Sequence, residues 1–271
     1  MTTLQSALLF FALLACVLAA ALWRLYARSP YNLMQSALYF VNVLLTRFLW
    51  RTRFPDPLPL PTGQGAVIVS NHRSSVDPFF VQLAAGRVVH WMVAREYVVH
   101  PAFGWFLRAC QVIPVRRTGV DTAATKAAIR YASQGGVIGV FPEGRINMTD
   151  AFLLPCRPGA AMIAIKAGVP LIPCYIEGSP YNQTPWSPFF MTAKVRVQFG
   201  EPISVAGCDE RNSEQLQTVM LACLSQITRL AGRLDVQPKL AGKKWMASRQ
   251  QIEADMALSE QRNRRPPRKQ P

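Results

Sequence analysis

One of the chain's three histidines stands in a chemically suggestive setting, Asn71-His72-Arg73-Ser74-Ser75-Val76-Asp77-Pro78. An imidazole five positions before a carboxylate can make a general base and the partner that orients it. On a continuous helix five residues turn two side chains about 140° apart, so a turn must fold this pair together. Asp77 before Pro78 also reads as a helix N-cap with proline at N1, a rigid place to hold the carboxylate. A second set is Phe141-Pro142-Glu143-Gly144-Arg145. Here Gly144 permits close backbone approach and the fork of Arg145 suits a phosphate, although a plain turn with a surface ion pair would use the same residues. The third set, Ile113-Pro114-Val115-Arg116-Arg117, ends in paired arginines, which serve either as a solvated face or as anion ligands.

Each set directly follows a short apolar, β-rich run. Such runs lie at residues 66–70, 88–94, 112–115, 137–141, 170–176 and 194–199, with helical patterns at 78–85, 122–133, 159–167 and 213–234. Strands separated by helices predict a mixed, largely parallel α/β sheet with helices on both faces. In such a sheet, sites form at the carboxyl ends of strands. If these ends converge, a general base lies beside a phosphate-binding pocket.

The rest of the 271 residues frames that domain. A net charge of +15 accompanies 50% hydrophobic residues, which excludes a disordered chain. Six scattered cysteines without a CxxC pair exclude a disulfide scaffold and read as reduced thiols facing the cytosol. Residues 4–23 carry no charge and are long enough as a helix for the ~30 Å hydrocarbon core. No basic residue precedes the run, so it reads as a retained anchor rather than a cleaved leader, and Arg24 and Arg28 place the chain beyond it in the cytoplasm. In residues 31–50, Asn32, Gln35, Asn42 and Thr46 form one polar stripe on an apolar helix. That pattern suits a helix lying in the membrane interface, or one packing its stripe on protein.

The expected organisation is therefore a membrane anchor and interfacial helix over 1–50 and a Pro-rich linker over 51–63. A catalytic domain over 64–238 and a basic, disordered tail over 239–271 follow. The anchor allows either one span or a one-leaflet hairpin. The basic, apolar composition fits an anionic membrane surface better than a nucleic acid.

Four motifs in order carry a family resemblance: Asn-His-(four residues)-Asp, then Pro-Val-x-Arg, then Phe-Pro-Glu-Gly, then Val169-Pro170-Leu171-Ile172-Pro173. Together they resemble the glycerolipid acyltransferase family, most closely its bacterial 1-acylglycerol-3-phosphate acyltransferases, over residues 64–203. The segments 154–161 and 199–202 are similar to family features too. The resemblance implies a membrane-bound enzyme that moves an acyl group from acyl-CoA or acyl-carrier protein to the sn-2 hydroxyl of lysophosphatidate, giving phosphatidate at the cytoplasmic membrane. His72 matches the general base and Asp77 its partner, while Arg117, Glu143, Gly144 and Arg145 match acceptor-binding positions. Four residues depart from the family pattern: Gln111 for glycine, Arg116 for an acidic residue, Arg145 for threonine, and Arg95 for a lysine that would belong with the substrate-binding set.

The chemistry expected from these residues is general-base attack of a lipid hydroxyl on a thioester, with no cofactor or metal. Its enzyme rival is covalent catalysis by Cys156 with His72 as activator. Other readings are a different lysolipid acceptor, such as a lyso-ornithine lipid or another lysophospholipid, and a membrane-tethered basic binding protein without catalysis.

Overall fold

The computed structural model describes residues 11–13, 16–17, 31–116 and 121–242. Most of the apolar run 4–23, Arg117, and the basic tail beyond residue 242 lie outside the described residues. Among the described residues no helix is long and apolar enough to cross a membrane.

The chain divides into two compact units, Met1–Val43 and Leu44–Pro271. Helix α1 (Leu33–Leu44) begins in the first. Two of its expected stripe residues turn out to do something else. The Asn32 side chain accepts from the Gln35 N–H at 2.9 Å and the Gln35 side chain accepts from the Asn32 N–H at 3.0 Å. This reciprocal pair is a capping box that starts the helix. Asn42 is buried, whereas Leu33, Met34, Phe40 and Val41 are exposed.

The second unit begins with a π-helical turn, Leu45–Leu49. The expected boundary at residue 50 differs from this division because Trp50 is fully buried in the second unit. Its ring meets Phe79, Phe80 and Phe189 at 5.2–6.1 Å, and its indole N–H donates to the Pro188 carbonyl at 3.0 Å. The Pro-rich segment that follows is likewise tied down. The Arg53 N–H donates to the Val195 carbonyl and its own carbonyl accepts from Val197.

Beyond it run β1 (Ala66–Ser70), α2 (Asp77–Ala85), β2 (Val89–Ala94), α3 (Arg95–Val99), α4 (Gly104–Ala109), β3 (Ile113–Val115) and α5 (Thr122–Ser133). Next come β4 (Val137–Val140), α6 (Gly159–Ala167), β5 (Leu171–Glu177), β6 (Arg196–Phe199) and α7 (Ser213–Leu230). The strands form one sheet in the order β3-β2-β4-β1-β5-β6. All neighbours are parallel except β5 and β6.

β1 sits centrally and is buried along its whole length, as an apolar run without alternation demands. Val67 and Val69 face a core that includes Ala128 of α5, Ala161 of α6 and Leu224 of α7. Ala66 and Ile68 face the opposite core with Trp50, Phe80 and Trp91. The helix expected over 213–234 ends at Leu230, and the short helices α3 and α4 were not read from sequence at all.

Candidate active site

Because β1 to β5 are parallel, their carboxyl ends share one edge. That edge receives His72 after β1, Arg95 after β2, Arg116 after β3 and Glu143 after β4. The strand ends that carry the three expected sets therefore share one edge of the sheet. Arg117 lies outside the described residues. Arg95 is exposed at the first residue of α3, Gly144 is exposed with φ +71°, and Arg145 is half-buried.

The His72–Asp77 pair is formed. Asp77 Oδ2 lies 3.0 Å from His72 Nδ1, and the same oxygen accepts the N–H groups of Arg73 at 2.7 Å and Ser74 at 2.8 Å. Three donors on one buried oxygen fix both the carboxylate and the turn. With the Nδ1 proton directed to Asp77, Nε2 keeps its lone pair for an incoming proton. The expectation that Asp77 caps helix α2 is corrected. Val76 occupies the cap, Asp77 is the first helical residue, and its side chain points back into the turn instead of forward along the helix.

Glu143 is held inside the domain. It is 1% exposed. One carboxylate oxygen accepts the His72 N–H at 2.8 Å and the other accepts the Leu154 N–H at 2.9 Å. Burial pushes its carboxyl up to about 7, against the pull of those two N–H groups and of the neighbouring His72 and Arg73. Both oxygens are committed to backbone, so Glu143 sets where His72 stands.

Several residues of the site escaped the sequence reading. Asn71 bridges strand ends, accepting the Ile176 N–H at 2.8 Å and donating to the Ile176 carbonyl at 2.9 Å. The imidazole of His72 stacks on Phe141 at 3.9 Å between centroids and 8° between planes, and Phe141 in turn stacks on Trp91 at 4.4 Å. Gly139 makes room for that stack, since a Cβ there would lie 2.6 Å from the Trp91 ring. A signal was present in the aromatic before Pro-Glu-Gly, but no sequence rule pairs it with a histidine 69 positions earlier.

Arg73, inside the His72–Asp77 turn, is half-buried. Its guanidinium donates to the carbonyls of Asn147 at 3.1 Å, Thr149 at 2.8 Å, Ala151 at 2.6 Å and Phe152 at 3.3 Å. The Asn147 N–H also donates to the His72 carbonyl at 2.8 Å. The loop after Glu-Gly-Arg is thereby strapped to the turn that carries His72. Arg73→Ala is expected to cost ~1.5–3 kcal/mol of stability, the range for charge-assisted hydrogen bonds, and to raise the acceptor KM. Arg73→Lys keeps the charge but loses the fork, and should recover only part of either. Thermal unfolding and acceptor titration measure both. Unchanged values in the alanine variant would show that the strap is dispensable.

Cys156 is buried, its thiol donates to the Leu154 carbonyl at 3.2 Å, and burial pushes its ionisation well above the ordinary thiol range. A thiol held protonated is a poor nucleophile. Cys156→Ser, which can donate the same hydrogen bond, should retain acyl transfer within about threefold. Complete loss in a folded variant would restore the covalent route. Among the described residues no group of three or more His, Cys, Asp or Glu side chains is placed to hold a metal ion.

An imidazole oriented by a buried carboxylate, on the carboxyl edge of a parallel sheet, suits transfer between a hydroxyl and an activated carbonyl. Residues 51–177 match the family model for Acyltransferase. That segment is an acyltransferase domain of the glycerolipid type, a class of O-acyltransferases.

Its relatives include the 1-acyl-sn-glycerol-3-phosphate acyltransferase of Bacillus subtilis (strain 168), 28% identical over 65% of this chain and 86% of that protein. The 1-acyl-sn-glycerol-3-phosphate acyltransferase beta of Homo sapiens is 30% identical over 59% of each chain. The Streptococcus pneumoniae 1-acyl-sn-glycerol-3-phosphate acyltransferase is 25% identical over 60% of each. Among solved structures, the 1-acyl-sn-glycerophosphate (LPA) acyltransferase PlsC from Thermotoga maritima shares the fold. Its TM-score is 0.60 at 21% identity, over 74% of this chain and 80% of that one.

Proposed function

We propose that the chain transfers a fatty acyl group from acyl-CoA or acyl-carrier protein to the sn-2 hydroxyl of lysophosphatidate, giving phosphatidate. The observation that carries this reading is the 3.0 Å contact between His72 Nδ1 and Asp77, which leaves Nε2 to act as base. His72 takes the hydroxyl proton as the oxygen attacks the thioester carbonyl, and a tetrahedral intermediate forms. Collapse of the intermediate breaks the carbon–sulfur bond, and the thiol leaves with a proton returned from His72. Asp77 holds the ring and stabilises the imidazolium between the two steps. Arg95, Arg117 and Arg145 are assigned to the acceptor's phosphate, with Gly144 leaving the turn open beside them. The relatives' names support the acceptor class.

The reaction is assigned to the cytoplasmic face of the inner membrane. Support comes from the uncharged run 4–23, the exposed apolar residues of α1 and the net charge of +15. The acyltransferase match favours an enzyme over a binding protein without catalysis.

The test is an acyl-transfer assay of the full-length protein with both donor types and a panel of lysolipids. Lysophosphatidate is expected to be the preferred acceptor, and Arg117→Ala to raise its KM more than that of the donor. Preference for a lyso-ornithine lipid or a neutral lysophospholipid would replace the acceptor assignment. An Arg117→Ala effect confined to the donor would remove phosphate recognition from that residue.

A further inference from the structure

The second unit leaves several large apolar side chains in solvent on two segments that touch each other. Val99 and Trp105, on and beside α3 and α4, are 68% and 52% exposed, and Trp186 and Phe190, before and at the end of the 3-10 turn Ser187–Phe190, are 50% and 87% exposed. Ring contacts join the two segments. Phe103 stacks on Trp186 at 4.6 Å, Tyr97 meets Phe103 edge-on at 6.5 Å, and Trp186 reaches Phe189 at 6.4 Å. Beneath, Phe79 of α2 contacts both Phe106 and Phe189, so both segments rest on the helix that Asp77 begins. Residues 95–108 and 178–195 carry Arg95, Arg108 and Lys194 against Glu96 alone. Tryptophan and tyrosine with interspersed cations favour the headgroup layer of an anionic bilayer. A surface of this kind left in water would be an unusual cost for a monomer.

The same surface is bonded to the catalytic turn. The Ser74 hydroxyl donates to the Pro180 carbonyl at 2.6 Å and the Ser75 hydroxyl donates to the Pro185 carbonyl at 2.9 Å. Both serines lie between His72 and Asp77.

We infer that this aromatic surface docks the second unit on an anionic lipid headgroup layer, as a contact separate from the N-terminal apolar residues. Docking through it presents the His72–Asp77 turn to an acceptor still resident in the bilayer. The inference rests on the reading of the acceptor as a membrane lipid, but its physical part needs no turnover to be measured.

Two arms test it on the full-length protein with vesicles of phosphatidylcholine and phosphatidylglycerol. In the first, brominated phosphatidylcholine quenches tryptophan emission. Trp105→Phe/Trp186→Phe should lose about half of that quenching if these rings reach the headgroup layer. In the second, Trp105→Ala/Trp186→Ala/Phe190→Ala should transfer acyl groups to vesicle-borne lysophosphatidate about tenfold more slowly, and to a monomeric short-chain analogue at a near-normal rate. Unchanged quenching overturns the docking surface. An equal fall on both acceptors shows a structural role instead. A loss confined to the acyl-carrier-protein donor, whatever the acceptor, assigns the surface to that acidic protein and overturns the lipid assignment. If the wild type acylates neither acceptor, the reaction assigned above fails while the quenching arm still decides the surface.

Discussion

Replacing His72 with alanine is expected to lower turnover at saturating donor and acceptor by at least ~10²-fold, the lower bound for a positioned general base. The loss should fall on kcat and kcat/KM alike, because the ring acts on the hydroxyl only as the bond to the carbonyl forms. The fold should survive. The imidazole is held at its edges by Asp77 and on one face by Phe141, and the backbone bonds of residue 72 to Glu143 and Asn147 do not depend on the side chain. Asp77→Asn is expected to cost a comparable kinetic loss, since an amide can hold the wrong ring tautomer and cannot stabilise the imidazolium. Near-normal turnover in a folded His72→Ala protein would remove the general-base role.

Glu143→Gln should lower kcat by ~10–10²-fold while leaving the donor KM nearly unchanged, because it shifts the turn that holds His72. A glutamine presents one acceptor oxygen where the carboxylate presents two, so either the His72 or the Leu154 N–H loses its partner, at ~1–3 kcal/mol for a buried donor.

The pH dependence separates this role from acceptor binding. The carboxyl's folded value of about 7 lies above the ordinary glutamate value of the unfolded chain. Between the two, the folded protein holds a proton that the unfolded chain has released. The group's contribution to stability is therefore complete below the unfolded value and is lost as pH rises through about 7. The stability gap between wild type and Glu143→Gln should narrow over that window, while wild-type activity climbs as the ionised carboxylate gathers both N–H groups. Denaturant titrations at several pH values measure the gap. A gap that does not change with pH would place the raised group elsewhere.

What could be read from residues alone followed the physics of each signal. β1 was legible to the residue because a fully buried parallel strand leaves a continuous apolar run between polar ends. The helices α5 and α6 were legible for a similar reason, with alanines recurring on one face and, for α5, Asp121 capping the start by accepting the Ala124 N–H. The pairing of His72 with Asp77 was legible as chemistry, but not the route by which Asp77 turns back, since its local sequence is equally that of a cap.

Helices α3 and α4 were hidden because each is too short for a periodic pattern and Pro101 interrupts the stretch. Asn32 and Gln35 looked like part of a stripe because a capping pair and a polar face share the same three-residue spacing. Glu143, Phe141 and Arg73 act across roughly seventy residues of chain. Nothing local to a motif records which other turn it will meet, so their roles required the sheet order.

The stack of His72, Phe141 and Trp91 has a consequence for the proposed reaction. When His72 takes the hydroxyl proton, the ring lying 3.9 Å from Phe141 becomes a cation. It then faces the electron-rich side of an aromatic ring that is itself backed at 4.4 Å by Trp91. Cation–aromatic attraction of this kind is worth ~0.5–2 kcal/mol, more where water is kept away. It is nearly absent while the ring is neutral. The two aromatics are thus a latent counterweight to the charge of the imidazolium, felt only during the interval between proton capture and proton return.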